Sequence, residues 1–170
     1  MKLLALLLAV TSGVAVGTQP LLNGALGRSR GVLEAVFVSV SVSYVAIVAL
    51  LIAKATRSGQ VGLPFTVVAW TLVVVAALVG GLALYLTTRG LGVWYYTAGL
   101  LGLVILFAGA FVTPILGVGA TAAAVIAGQL GASIVWDQLG VLGMPQAPFS
   151  PQRAVGMLLI IAGVVLVRGL

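Results

Sequence analysis

Hydrophobic residues in this chain fall into six runs, each closed by charged or turn-forming residues. The first lies between Lys2 and Arg28, about residues 3–26, and the second between Glu34 and Lys54, about 35–53. The others cover about 65–86, 92–112, 116–136 and 151–168. Each of the first five has about 19 or more uncharged residues, enough to cross ~30 Å of hydrocarbon at ~1.5 Å per helical residue. The uncharged part of the sixth, Ala154–Val167, is shorter. Ser150 is a good N-cap and Pro151 a good first helical residue, so a helix from there spans too, with Arg153 and Arg168 reaching towards the headgroups.

Backbone polar groups cannot stay unpaired in lipid, so the runs are expected to be helices. The pattern predicts an all-α fold: one polytopic transmembrane helix bundle of six spans, forming a single domain over residues 1–170. "VFVSVSVSY" alternates with period two, as a strand does. However, its uncharged run is twice the length of a barrel strand and no other segment alternates. It is expected to be a helix with Ser39 and Ser43 on one face and Ser41 on another. The opening "MKLLALLLAV" imitates a signal peptide, but the apolar run continues to Leu26, so an uncleaved anchor is expected.

Composition agrees with a membrane class. The chain is 62% hydrophobic and 6% charged, with a mean hydropathy of +1.33, whereas a soluble domain is about one quarter charged. Absence of Cys and His removes disulfides, thiol chemistry and imidazole acid–base work. The net charge of +6 comes from basic residues between hydrophobic runs, where lipid headgroups hold them. The bilayer, and no nucleic acid, is the partner this predicts. Six spans place Lys2, Lys54, Arg57 and Arg168 on one side and Arg28, Arg30, Arg89 and Arg153 on the other. Four against four leaves orientation open; a dual-topology protein gives such a balance, and so does chance.

Polar residues within the runs are the candidate chemistry. Gln19 and Asn23 are four apart and share a face of the first helix. Gly13 and Gly17 form a small-xxx-small pair that admits a close neighbour. Pro20 cannot donate to the Val16 carbonyl and interrupts the helical ladder. Two readings stand: Gln19 and Asn23 as glue between helices, or as ligand-binding groups. In the fifth run Gln129, Ser133 and Asp137 recur every four residues, with Gly117, Gly128 and Gly131 allowing close approach. Such a stripe is expected to face protein or water, not lipid. Asp137 sits at the helix end, either as a loop anchor paired with Arg153 or as a proton or cation site. Glu34 suits a helix N-terminus and a pairing with Arg28 or Arg30. Trp94, Tyr95 and Tyr96 sit where an aromatic belt is expected.

There is no GxxxxGK[ST] phosphate loop, no GxGxxG after a strand, and no Ser/His or paired-carboxylate constellation. An enzyme, a cofactor and a metal site are therefore not expected.

Two stretches carry a family resemblance. One is "GVAVGTQPLLNGALGR". The other is "LGVGATAAAVIAGQLGASIVWDQLGVLGMPQAPFSPQRAVGMLLIIAGVVLV", with GQL-x2-S, D-x2-G-x2-G and S-x2-R-x2-G in order. With the aromatic-plus-Gly "VWYYTAGLLG", they resemble the YdcZ-like branch of the drug/metabolite transporter superfamily, small all-helical proteins of the bacterial inner membrane. The family usually has five spans, and the segment at 65–86 lies where a polar linker is usual. A re-entrant hairpin broken at Gly80 and Gly81 is the alternative for that segment.

The resemblance implies a half-transporter acting as a homodimer, for which an antiparallel pair is one arrangement, with a solute path at the repeat interface. The resemblance carries over Gln19, Asn23, Gln129 and Asp137, with the Gln19–Asn23 face turned to Gln129; the path expected is Gln19, Asn23 and Gln129 with Ser133 of the same stripe. Asp137 is the gating or coupling candidate, and Gly13, Gly17, Pro20 and Gly128 serve hinge and close packing. The expected function is a small secondary transporter for a small polar or amphipathic solute. The alternative is a non-transporting membrane scaffold or partner subunit.

Overall fold

The structure is a computed structural model that describes residues 1–58 and 66–168. Phe65, at the start of the third predicted run, and the side chain of Arg168 lie outside the described part. Every described element is helical: α1 (Lys2–Arg30), α2 (Val32–Ser58), α3 (Val67–Thr87), α4 (Trp94–Leu116), α5 (Val118–Leu139), a short 3-10 turn (Val141–Gly143) and α6 (Pro151–Arg168). α1 to α5 are each long and apolar enough to cross a membrane. The described apolar part of α6, Pro151–Gly163, is shorter. α3 runs unbroken through Gly80 and Gly81, which removes the re-entrant hairpin.

The links follow from local chemistry. α1 ends on Gly31 at φ 117° and α4 ends on Gly117 at φ 80°, a region that L side chains avoid. A single glycine therefore turns the chain between each pair of helices. α5 ends on left-handed Gly140, whose N–H donates to the Trp136 carbonyl. At α3 the Thr66 hydroxyl accepts from the Ala69 N–H at 3.1 Å, and at α6 the Ser150 hydroxyl accepts from the Arg153 N–H at 3.3 Å. Pro151 opens α6, as its position after an N-cap predicts. α4 runs past residue 112 through Pro114 to Leu116, because lipid offers the chain no better place for its backbone groups than a helix.

α1 is the central helix, packed against α5, α4 and α2; α3 rests on α2 and α6 on α5. One apolar cluster, Ala5, Ala9, Val112 and Ala124, joins α1, α4 and α5 near the α1 N-terminus. A second, Leu26, Ala35, Val38 and Leu84, packs with Tyr95 and Tyr96 near the opposite end. There the Tyr96 hydroxyl meets buried Thr88 at 2.6 Å, while Trp94 stays exposed, as a residue of an aromatic belt does.

Candidate functional site

Small residues decide how close α1 and α5 come. A methyl added at Gly13 would fall on the Val125 carbonyl oxygen, and one at Gly128 would fall on the Val10 carbonyl oxygen. A methyl at Gly17 would stand 3.2 Å from the Ser133 hydroxyl and 3.0 Å from Ala132 Cβ. Ser12, Ala124 and Ala132 complete this buried seam. The contact is between backbones, and this presents the polar stripe of α5 to α1.

The polar residues of the two helices do different things. The Gln19 amide donates to the Ala98 carbonyl of α4 at 3.0 Å. Asn23 Oδ1 accepts from the Ser39 hydroxyl of α2. The Ser43 hydroxyl lies 2.7 Å from the Gly99 carbonyl oxygen and 2.9 Å from that of Ser39, which share its one proton. Gln19 and Asn23 thus tie α1 to α4 and α2, and Ser39 and Ser43 share the inward face. Gln129 and Ser133 make no side-chain hydrogen bond among the described residues. Since no described buried polar side-chain atom lacks a partner, their polar atoms border open space.

Two clefts flank Pro20. One, of about 530 Å³, is lined by Val16, Gly17 and Pro20 of α1, Gln129, Ser133 and Asp137 of α5, and Met144 of the following turn. The other, of about 470 Å³, holds Gln19, Asn23, Gly24 and Arg28 of α1 with Val32 and Ala35 of α2. Gln129 and Gln19 therefore line different clefts. The expected facing of Gln129 with the Gln19–Asn23 side is not what the helices adopt, because α2 and α4 occupy that side of α1. From Asp137 to Gln129 the first cleft descends about 12 Å along α5.

At the mouth, Arg153 Nη2 meets Asp137 Oδ2 at 2.6 Å, and Nη1 donates to the Ala147 carbonyl at 2.7 Å. Asp137 is 44% and Arg153 36% exposed, so solvent screens this pair. Arg153 is thus turned to Asp137. Glu34 makes no ion pair with Arg28 or Arg30; its carboxylate folds back over Gly31 at the α2 N-terminus. Arg28 reaches across to the turn after α5 and donates to the Leu142 and Gly143 carbonyls, both at 2.8 Å. Leu142 has φ 55°, ψ 27°, a left-handed backbone costing roughly 1–2 kcal/mol for a residue with a Cβ.

Sequence reasoning missed three residues. Trp136 lines the Gln129 cleft and donates its indole N–H to Thr18 at 2.9 Å. Its place one turn after Ser133 was the available signal for it. Met144 lies against Gly24, and Arg28 reaches the same turn. Their partners lie more than 100 residues away, beyond any spacing rule.

Among known protein families, the one described as "Putative inner membrane exporter, YdcZ" matches residues 63–166. That covers more than half of the chain. The chain belongs to the YdcZ family. It is accordingly a multi-pass membrane protein of a transporter kind. The match takes in α3 to α6, including Gln129, Ser133 and Asp137, and leaves α1 and α2 outside. No curated protein and no solved structure matches the chain.

Proposed function

We propose that the chain is one subunit of a small secondary transporter, working as a homodimer, that carries a small polar or amphipathic solute across the bacterial inner membrane. One observation carries this reading: the side chains of Gln129 and Ser133 line an open cleft with no hydrogen-bond partner among the described residues. An amide within a membrane-spanning helix is costly unless water or a solute bonds to it. The facing wall of Val16, Pro20 and Leu21 is apolar, which suits the other half of an amphipathic molecule.

Asp137 stands at the mouth, where a passing solute meets it first. Pro20 lines both clefts and withholds an N–H from the Val16 carbonyl, leaving α1 able to bend between them. Gln19 and Asn23 then carry that bend to α4 and α2, and they border the second cleft. The clefts open on the side of a single chain, so a second copy would wall them. Equal numbers of basic residues at the two ends suit an antiparallel pair.

The test is flux of a broad solute panel in proteoliposomes, comparing wild type with Gln129→Leu and Gln19→Leu. Gln129→Leu is expected to stop flux in a folded protein. Transport at the wild-type rate by folded Gln129→Leu overturns the path, and no flux from wild type over the whole panel favours a scaffold. Tags at both termini, scored for accessibility, test the antiparallel pair; one fixed orientation sinks it.

A further inference from the structure

We infer that Arg28 is a positioning residue that latches the turn after α5 onto α1, so that Met144 is held at the rim of the Gln129 cleft and narrows its mouth. This rests on the transport reading only in treating that cleft as a solute path.

The segment from Gly140 to Ser150 is held in two different ways. Its later part is tied to its own helices. The Ala147 N–H donates to the Asp137 carbonyl at 3.0 Å, and the Phe149 N–H to Gln138 Oε1 at 2.7 Å. Arg153 holds the Ala147 carbonyl from α6. Among the described residues the tip, 141–144, has no such tie to α5 or α6 beyond its own turn, closed by the Met144 N–H on the Val141 carbonyl at 3.2 Å. Among the described residues, the hydrogen bonds that carry the tip to α1 come from one side chain, the fork of Arg28 on the Leu142 and Gly143 carbonyls.

That fork sets where Met144 goes. The Met144 methyl would stand 2.7 Å from a Cβ at Gly24, so the thioether rests on α1 because Gly24 has no side chain. Met144 and Pro145 there form the rim of the cleft that holds Gln129, Ser133 and Asp137. The tip has pivots as well: Gly140 at φ 56° and Gly143 at φ 70° bracket Leu142, itself left-handed at φ 55°. Glycines on either side make rotation cheap, and the strained leucine favours release once its carbonyl is let go. The Arg28 bonds are exposed to solvent, so they can break and reform during a transport cycle. Arg28 also borders the second cleft, beside Asn23 and Gly24. A bend of α1 at Pro20 would move Arg28 and so pull on the turn. A planar two-pronged donor suits two adjacent carbonyls, and a lysine ammonium does not replace it.

The chain contains no cysteine, so a single cysteine reports on one place. Ser133→Cys is introduced into the full chain in lipid nanodiscs, and its rate of modification by a membrane-impermeant thiosulfonate is measured. Adding Arg28→Gln is expected to raise that rate about tenfold, the scale of one hydrogen bond from a charged donor, because water replaces much of the exposed fork. Arg28→Lys is expected to fall between, and Met144→Ala to raise the rate with Arg28 intact. Ser12→Cys, in the buried α1–α5 seam, is expected to stay unreactive throughout. An unchanged Ser133→Cys rate in Arg28→Gln overturns the latch. So does an equal rise at Ser12→Cys, which would mean that the bundle has merely loosened. Labelling that follows the expected pattern, together with a wild-type chain that moves no solute, upholds the latch and removes the transport reading.

Discussion

Gly13 of α1 and Gly128 of α5 stand backbone to backbone: the Gly128 Cα lies 2.9 Å from where a Gly13 Cβ would be, and the Gly13 Cα 3.1 Å from a Gly128 Cβ. The nearest obstacles on both sides are carbonyl oxygens of the facing helix, which cannot step aside as a side-chain end can. This contact fixes the distance between the two helices that line the Gln129 cleft. The depth of the cleft and the seam behind it therefore depend on two residues without side chains.

Replacing either glycine by valine must push the helices apart along the whole seam. The expected cost is about 3 kcal/mol, at the upper end of ordinary overpacking, because backbone and not side chain must yield. Gly128→Val is expected to lose most of its monodisperse protein after extraction in mild detergent, whereas Gly109→Val, in open space on α4, is expected to behave as wild type. Equal recovery of Gly128→Val and wild type would refute the close contact.

The two glutamines are expected to separate stability from transport. Gln19 holds α4 through the Ala98 carbonyl, and such interhelical bonds average about 0.6 kcal/mol and reach ~1.7. Gln19→Leu should lower thermal stability in detergent by that order. The Gln129 side chain bonds to no protein atom among the described residues, so Gln129→Leu should leave stability unchanged or slightly raised while flux falls. Equal destabilisation by both would mean that Gln129 is also a packing residue.

Much of the bundle could be read from the chain because bilayer thickness dictates helix length. Lys2, Arg28, Glu34 and Lys54 bracket the uncharged stretches of the first two helices. The ends were less legible. α1 continues to Arg30 because its last turn is at home among headgroups, and α4 passes Pro114 because a break in lipid would strand more backbone groups than the proline does. Four-residue spacing showed that Gln19 and Asn23 share a face, and likewise Gln129 and Ser133. It did not show which neighbour each face meets, because that depends on how α2, α4 and α5 are arranged around α1. Asp137 and Arg153, joined across one loop, were within reach of a local argument. Arg28 and the turn at Leu142 were not.

A double-mutant cycle on Asn23→Ala and Ser39→Ala is expected to return a coupling of about 0.6 kcal/mol, below ~1.7. The hydroxyl of Ser39 donates to Asn23 Oδ1, so either truncation removes the bond and the second adds little. Unfolding in mixed micelles reports each variant. Additive effects would show that the two side chains act independently.

The Asp137–Arg153 pair gives a prediction about salt. Both side chains are more than a third exposed, so their attraction is screened and contributes less than about 1 kcal/mol. Asp137→Asn should lower stability by a few tenths of a kcal/mol at low ionic strength, and the loss should shrink as salt rises and the Debye length falls below ~8 Å. Arg153→Gln removes more, since the same guanidinium also holds the Ala147 carbonyl. Its effect should therefore keep a salt-independent part that Asp137→Asn lacks. Thermal unfolding of both variants at low and high salt measures the two parts. Identical salt dependence for the two would show that the bond to Ala147 contributes nothing to docking the loop.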